Sequence, residues 1–241
     1  MTMGKKSQRT KVKKISLKVA QSCVELTTDG RRRLNLSFKE IAVVPQCIQG
    51  LCVMDELDLS RNLITMVPDF IESFISISVL DLHSNYLEQI PESIGRLRNL
   101  LVLNLCNNRL TSVPKELGLL TKLCTLNLCI NRLHDLPFSI GALKELRHIG
   151  LSDNRFTLLP GCLSRMNKLE TVKLDRNPIV VKGMAIQESM TTESRFHLVK
   201  ESALCEACLQ KCQTERDEIE LNSIKMPNQA VSPAEMTNGR Y

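Results

Sequence analysis

The sequence has few aromatic residues: tryptophan is absent, and Phe and Tyr together make up only 3% of the 241 residues. A core built from this chain is therefore expected to be aliphatic. No run approaches the ~18 consecutive apolar residues of a membrane-spanning helix, and the basic N-terminus lacks the apolar segment of a secretory signal. The ten cysteines lack the paired spacings of a disulfide scaffold. We therefore expect reduced thiols and a cytoplasmic location, with the nucleus as the alternative.

A repeat of 23 residues fills the middle of the chain, without insertion or deletion. In the segment 80–97, a Leu-x-Leu pair is followed by an asparagine, an aliphatic residue, a proline and a further apolar pair. The Leu-x-Leu alternation predicts a short strand with one buried face. Proline favours an extended convex segment, and Gly95 and Gly141 are expected to end convex turns at positive φ. No single coil buries its own leucines, so stacked coils must share one core.

The asparagine recurs at the point where each strand turns away. Its carboxamide is expected to satisfy backbone groups of its own coil and of the neighbouring coil, which a buried turn requires. We interpret these asparagines as structural because their spacing is the repeat itself. They are Asn62, Asn85, Asn108, Asn131, Asn154 and Asn177.

The flanks differ from the repeats in composition. Residues 1–14 are lysine-rich and are expected to be a disordered arm, and apolar residues at helical spacing predict an N-terminal helical cap within 15–33, with its helix over 15–26. The repeats occupy 34–183, and the first is degenerate, with Lys39 at the asparagine position. Residues 184–226 predict a C-terminal cap with a cysteine-bearing helix, and 227–241 a disordered tail.

The repeats over 34–183 resemble the intracellular leucine-rich-repeat class with a Leu-Pro-x-x-Ile-x-x-Leu convex segment. This resemblance implies an α/β fold: a right-handed solenoid with a parallel concave sheet, an irregular convex side and helical caps at both ends. The segments 13–20, 54–62, 80–86 and 204–212 resemble a narrower group of that family over roughly residues 13–213. That group implies a non-enzymatic cytoplasmic protein with a proposed setting in male germ cells, and names no partner.

Parallel stacking would align the outward residues of the strands into columns across the concave face, about 4.8 Å apart. Such surfaces are the usual binding surface of solenoids, although a solvated face that contacts nothing is the alternative. We predict a groove for a protein partner with an acidic N-terminal shoulder. Its candidate residues are Glu56, Asp58, Asp81, His83, Val102, Asn104, Thr125, Asn127, His148 and Lys173.

Cys205, Cys208 and Cys212 have some character of metal ligands. A structural zinc site needs four ligands, and the nearest fourth candidate is His197. Since spacings of three and four residues share one helix face, thiols packed against the cap are the simpler interpretation. We therefore predict no metal and no cofactor.

The basic character belongs to the N-terminus, where residues 1–33 hold ten basic and two acidic residues. This charge suggests an alternative function, an electrostatic tether to nucleic acid or an anionic membrane surface. A solubilising tail is equally consistent with the basic composition. The histidines lack a nucleophile-and-carboxylate arrangement, and no glycine-rich phosphate loop occurs. We expect a monomeric, non-enzymatic adaptor without a small-molecule substrate.

Overall fold

Seven parallel strands and one antiparallel edge strand form a single sheet, in the order in which they occur along the chain. The computed structural model describes residues 14–179. The strands are β1 Val24–Leu26, β2 Arg32–Asn35, β3 Glu56–Asp58, β4 Val79–Asp81, β5 Val102–Asn104, β6 Thr125–Asn127, β7 His148–Gly150 and β8 Thr171–Lys173. The predicted solenoid with a parallel concave sheet is confirmed. Residues 1–13 of the predicted arm (1–14), residues 180–183 of the predicted solenoid, the C-terminal cap (184–226) and the tail (227–241) lie outside the described residues.

The convex side is built from short 3-10 helices, each preceded by a proline. The helices are η1 Gln46–Leu51, η2 Asp69–Ser73, η3 Glu92–Arg96, η4 Lys115–Leu119, η5 Phe138–Ala142 and η6 Gly161–Arg165. Proline fixes φ near the helical value and lacks an N–H at the position where a helix leaves that donor unpaired. Both apolar residues of every pair from Leu57 to Leu151 are fully buried between the sheet and these helices. The core is aliphatic, as the composition predicts.

The N-terminal cap differs from the expected helix over 15–26. The helix α1 spans only Leu17–Gln21, and the chain then forms β1, which pairs antiparallel with β2. β1 forms hydrogen bonds with the backbone groups at the edge of the parallel sheet. A continuous helix over 15–26 would leave those groups unpaired. Ala20 is the buried residue of the cap, whereas Val19 and Leu26 are exposed. The chain turns between β1 and β2 at Gly30, whose φ is +79°.

The asparagines join neighbouring coils through side-chain hydrogen bonds. Asn131 is buried, and its Oδ1 accepts from the Leu110 N–H at 3.0 Å. Its Nδ2 donates to the carbonyls of Leu105 in the preceding coil and of Leu128 and Cys129 in its own coil, at 3.0–3.2 Å. Equivalent contacts are made by Asn62, Asn85, Asn108, Asn154 and Asn177.

The direction of these bonds explains why the first coil has Lys39 instead of asparagine. Each carboxamide serves the backbone of the coil before it, and no parallel coil precedes the first one. Asn62 instead reaches back and accepts from the N–H groups of Lys39 and Ile41. A side chain at position 39 therefore has no preceding coil to serve, although the backbone of the first coil receives the contacts of Asn62.

Glycine is needed on the convex side for close packing. Among the described glycines only Gly30 has a positive φ, so the expectation for Gly95 and Gly141 is wrong. A Cβ at Gly118 would lie 2.2 Å from the Ser139 carbonyl oxygen of the next coil. The 3-10 helices thus stack backbone against backbone at this position.

We predict that Gly118→Ala lowers the free energy of unfolding by about 1–3 kcal/mol, because the methyl group forces two coils apart. Urea unfolding followed by circular dichroism measures this change. Gly161→Ala is the matched control, since a Cβ there meets nothing within 4 Å. Equal stabilities of the two variants would contradict the close-packing role.

We predict that Asn131→Ala lowers the free energy of unfolding by at least about 3 kcal/mol, because one N–H and three carbonyls lose a buried partner. The control is Asn99→Ala, which removes an exposed amide that donates to the Ile75 carbonyl and accepts from the exposed Lys122 ammonium. Denaturant midpoints of the two variants that agree within error would rule out the ladder as a main source of stability.

Candidate functional site

Strand register places the outward residues of the concave face in two rows. The middle residue of each strand from β3 to β7 is fully buried, so its neighbours point to the opposite face of the sheet. The first row is Glu56, Val79, Val102, Thr125, His148 and Thr171. The second row is Asp58, Asp81, Asn104, Asn127, Gly150 and Lys173.

The second row has a structural task that the sequence analysis did not assign to it. The Oδ1 atoms of Asp58, Asp81, Asn104 and Asn127 each accept from the backbone N–H two residues later, at 2.9–3.2 Å. This is the Asx-turn geometry that favours Asp and Asn where a strand ends. Only the second side-chain atom of each residue remains to face a partner.

The carboxylates of the expected acidic shoulder are occupied by this chain. Asp58 is 6% exposed, and its Oδ2 accepts from the Arg33 guanidinium. Asp81 lies 2.7 Å from the His83 ring Nδ1 and also accepts from Asn104 Nδ2 at 3.3 Å. Glu56 lies 3.9 Å from the Arg31 guanidinium. The shoulder therefore presents less negative charge than the sequence suggests.

The concave face is also narrower than the columns of the sequence suggest. The residues two positions after the members of the second row are largely buried. Four of them are at most 9% exposed: Ser60, Cys106, Cys129 and Ser152. The Asx turns draw this part of the chain inwards, under the second row. His83, a predicted site residue, is partly buried in this position.

A shallow depression of about 130 Å³ lies in the middle of the two rows. Five of the predicted residues line it: Val102, Asn104, Thr125, Asn127 and His148. The remaining lining residues, Leu126 and Gly150, were not predicted. The sequence did contain a signal for Gly150: it is a glycine in a column whose other members carry side chains, and such a glycine marks a close approach of another group.

Gly150 lines the depression, and Asn127 beside it has a donor without a partner among the described residues. The Nδ2 atoms of Asn35 and Asn104 donate to Glu25 and Asp81 in neighbouring strands. The equivalent neighbour of Asn127 is Asn104, whose Oδ1 already accepts from the Cys106 N–H, and no described residue accepts from Asn127 Nδ2. The depression thus combines an aliphatic floor with one exposed N–H donor.

His148 and Lys173 lie towards the C-terminal end of the rows. The His148 ring Nδ1 is 3.1 Å from the Thr171 hydroxyl, which holds the imidazole at the side of the depression. Lys173 follows Gly150 in the second row. Nine of the ten predicted site residues therefore lie in the two outward rows, His83 lies beside them, and only five meet at the depression.

The Cys129 thiol occupies space that a side chain at position 150 would need. A Cβ at Gly150 would lie 2.7 Å from Cys129 Sγ and 2.8 Å from Asn127 Oδ1. Desolvation by burial raises the pKa of Cys129 to about 11. A protonated thiol is a poor nucleophile and metal ligand, so this cysteine has a packing role.

No group of three His, Cys, Asp or Glu side chains within residues 14–179 is arranged to hold a metal ion. Cys205, Cys208, Cys212 and His197 lie outside the described residues. No helix in the described range is long and apolar enough to cross a membrane.

We predict that Cys129 is protected from iodoacetamide at pH 8.5, since its pKa of about 11 leaves a thiolate fraction on the order of a hundredfold below that of a free thiol. Because the folded state keeps a proton that the unfolded chain releases, the related stabilisation is lost as pH rises from the ordinary thiol pKa of 9.0 towards 11. Peptide mass spectrometry, with Cys124 as internal reference and urea-unfolded protein as control, measures the protection. Native alkylation of Cys129 at the rate of a free thiol would contradict its packing role.

Comparison with known proteins agrees with this architecture. Residues 75–133 and 121–179 match the family model for the leucine rich repeat. A structure of a leucine-rich-repeat protein from Leptospira interrogans is 32% identical over 70% of this chain and 47% of its own, with a TM-score of 0.55. A crystal structure of PEPR1–AtPEP1 is 24% identical over 64% of this chain and 26% of its own, with a TM-score of 0.53, and is similar in fold alone. The chain spans less than half the length of these two solved chains.

Proposed function

We propose, from the premise that this chain is a leucine-rich-repeat protein, that it is a non-enzymatic adaptor holding a segment of a partner protein across the middle of its concave face. Leucine-rich-repeat domains generally mediate protein–protein interaction, and concave solenoid surfaces are their usual binding surface. One observation supports this location above others: the depression beside Gly150, with the unpaired Nδ2 donor of Asn127 at its side.

The size of the depression favours a side chain over a small-molecule substrate. Pockets for small molecules enclose about 300–1,000 Å³, whereas this one encloses about 130 Å³. An aliphatic side chain of a partner would cover Val102, which is partly exposed in the depression. The Asn127 amide would then donate to a carbonyl of the same segment, because a donor covered by a partner needs an acceptor.

The setting of this adaptor is proposed from resemblance. The segments 13–20 and 204–212 resemble leucine-rich-repeat-containing protein eighteen or a close relative. We infer from this a monomeric cytoplasmic protein of male germ cells, with the nucleus as the alternative location. Immunofluorescence of testis sections tests this setting, and a signal restricted to somatic cells would contradict it.

The runner-up function is an electrostatic tether to nucleic acid or an anionic membrane surface. The ten basic residues among 1–33 support it, but Arg31 and Arg33 pair with Asp29 and Asp58. The charge available to such a partner is therefore concentrated in residues 5–18. Binding that is steeply salt-dependent and vanishes when 1–18 are deleted would favour this function.

We predict that Thr125→Arg abolishes capture of the partner, because the long side chain fills the depression from the first row. Thr121→Arg is the matched control: it makes the same substitution at an exposed position just after η4. Both substitutions should change the free energy of unfolding by less than about 0.5 kcal/mol. Affinity purification from testis extract with mass spectrometry compares the two variants with the unchanged chain.

Proteins that are lost with Thr125→Arg and kept with Thr121→Arg would support the concave site and identify its partner. Proteins retained equally by both variants would place the binding surface elsewhere. Proteins lost only when residues 1–18 are removed would support the tether.

A further inference from the structure

Three arginines occupy the same position in three consecutive coils. Arg109, Arg132 and Arg155 each directly follow a ladder asparagine. Their backbone N–H groups donate to the carbonyls of equivalent leucines in the preceding coils, at 2.8–2.9 Å. Because these bonds fix the backbone in the same way, the three side chains leave the solenoid side by side, about 4.8 Å apart as in adjacent strands. We call them the arginine column.

The arginine column lies at the edge of the solenoid, beyond the ends of the strands, and does not overlap the concave depression. It precedes the proline segment that leads to the 3-10 helices. Two residues further on, each coil presents another exposed side chain to the same side, because extended backbone alternates. These are Thr111, His134 and Thr157.

Charges at equivalent positions elsewhere in the solenoid pair with opposite charges. Arg147 lies 2.5 Å from Glu170, and Lys168 lies 2.7 Å from Glu145, each pair 23 residues apart. Arg176 and Asp153 make a third such pair at 2.5 Å. Within residues 14–179, the arginine column is the one position that carries like charges in three consecutive coils.

No acidic side chain of the described residues neutralises the column. The Arg109 guanidinium lies over the Tyr86 ring, 4.5 Å from its centroid. Arg132 and Arg155 are exposed and make no ion pair with any residue in the described range. The nearby carboxylate of Asp153 is held by Arg176, and that of Asp135 accepts from the Leu136 N–H.

We propose that the arginine column is a second docking surface, which binds an acidic peptide segment of a partner protein. Guanidinium groups bind carboxylates through paired N–H donors. Carboxylates three or four positions apart on a helix are about 5–6 Å from each other, close to the coil spacing of about 4.8 Å. The surface favours a peptide over single-stranded nucleic acid, because bases need exposed aromatic faces for stacking and Arg109 covers the one tyrosine of the column.

The test uses the full chain and a labelled polyglutamate peptide as the probe, with affinity measured by fluorescence anisotropy at low salt. The variant Arg132→Ala/Arg155→Ala should bind about tenfold more weakly than the unchanged chain, since two charge-assisted contacts are lost. Lys115→Ala/Lys122→Ala removes the same charge from η4 and from the turn that follows it, and should keep nearly full affinity. The N-terminal lysines are identical in all three proteins, so their contribution cancels.

A site-specific readout accompanies the affinities. In NMR spectra, the arginine Nε–Hε signals of the column should shift when the probe is added, and those of Arg98 and Arg165 should not. Equal losses of affinity in the two double variants, or unchanged Nε–Hε signals, would overturn the proposal. An oligothymidine that binds more tightly than polyglutamate, and depends on Arg132 and Arg155, would replace the acidic peptide with nucleic acid as the occupant.

The proposal is independent of the concave site. Thr125→Arg should not weaken polyglutamate binding, because it adds a positive charge and leaves the column unchanged, and Arg132→Ala/Arg155→Ala should leave the depression intact. A failure of one proposal can therefore be distinguished from a failure of the other.

Discussion

The constraint on which the structure depends is the need to satisfy backbone N–H and C=O groups in coils that have little regular secondary structure. Each strand contributes only three or four residues, so most of the backbone in a coil turns without a sheet partner. The asparagine ladder answers this need, because one carboxamide serves groups in two coils at once. Its directional contacts also fix the 23-residue register that aligns every other side chain.

The same constraint shapes the candidate binding face. Asp58, Asp81, Asn104 and Asn127 use one side-chain oxygen to close the turn after their strand. The remaining atoms of Asp58, Asp81 and Asn104 contact neighbouring strands, whereas Asn127 Nδ2 meets no acceptor among the described residues. Gly150 follows in the row, and because it has no side chain, the depression lies beside this unpaired donor.

Regular stacking has a further consequence for charge. Any residue type repeated at one position of the coil is brought within about 5 Å of itself, so like charges accumulate unless their signs alternate. The C-terminal half of the solenoid contains both outcomes, with Arg147–Glu170 and Lys168–Glu145 paired and the arginine column unpaired. The position within the repeat therefore decides whether stacked charges pair with each other, as in these two pairs, or accumulate with the same sign, as in the arginine column.

The period, the buried leucines and the asparagine positions were set by the sequence alone, because each follows from residue types that recur at a fixed spacing. The rows of the concave face could also be derived, since parallel stacking converts the spacing into adjacency. Tertiary structure decided the rest. Whether Asp58 faces a partner or Arg33, whether Val24–Leu26 continues a helix or covers a sheet edge, and whether Asn127 finds an acceptor all depend on the neighbouring coil. These contacts join residues that are distant along the chain, so no local pattern encodes them.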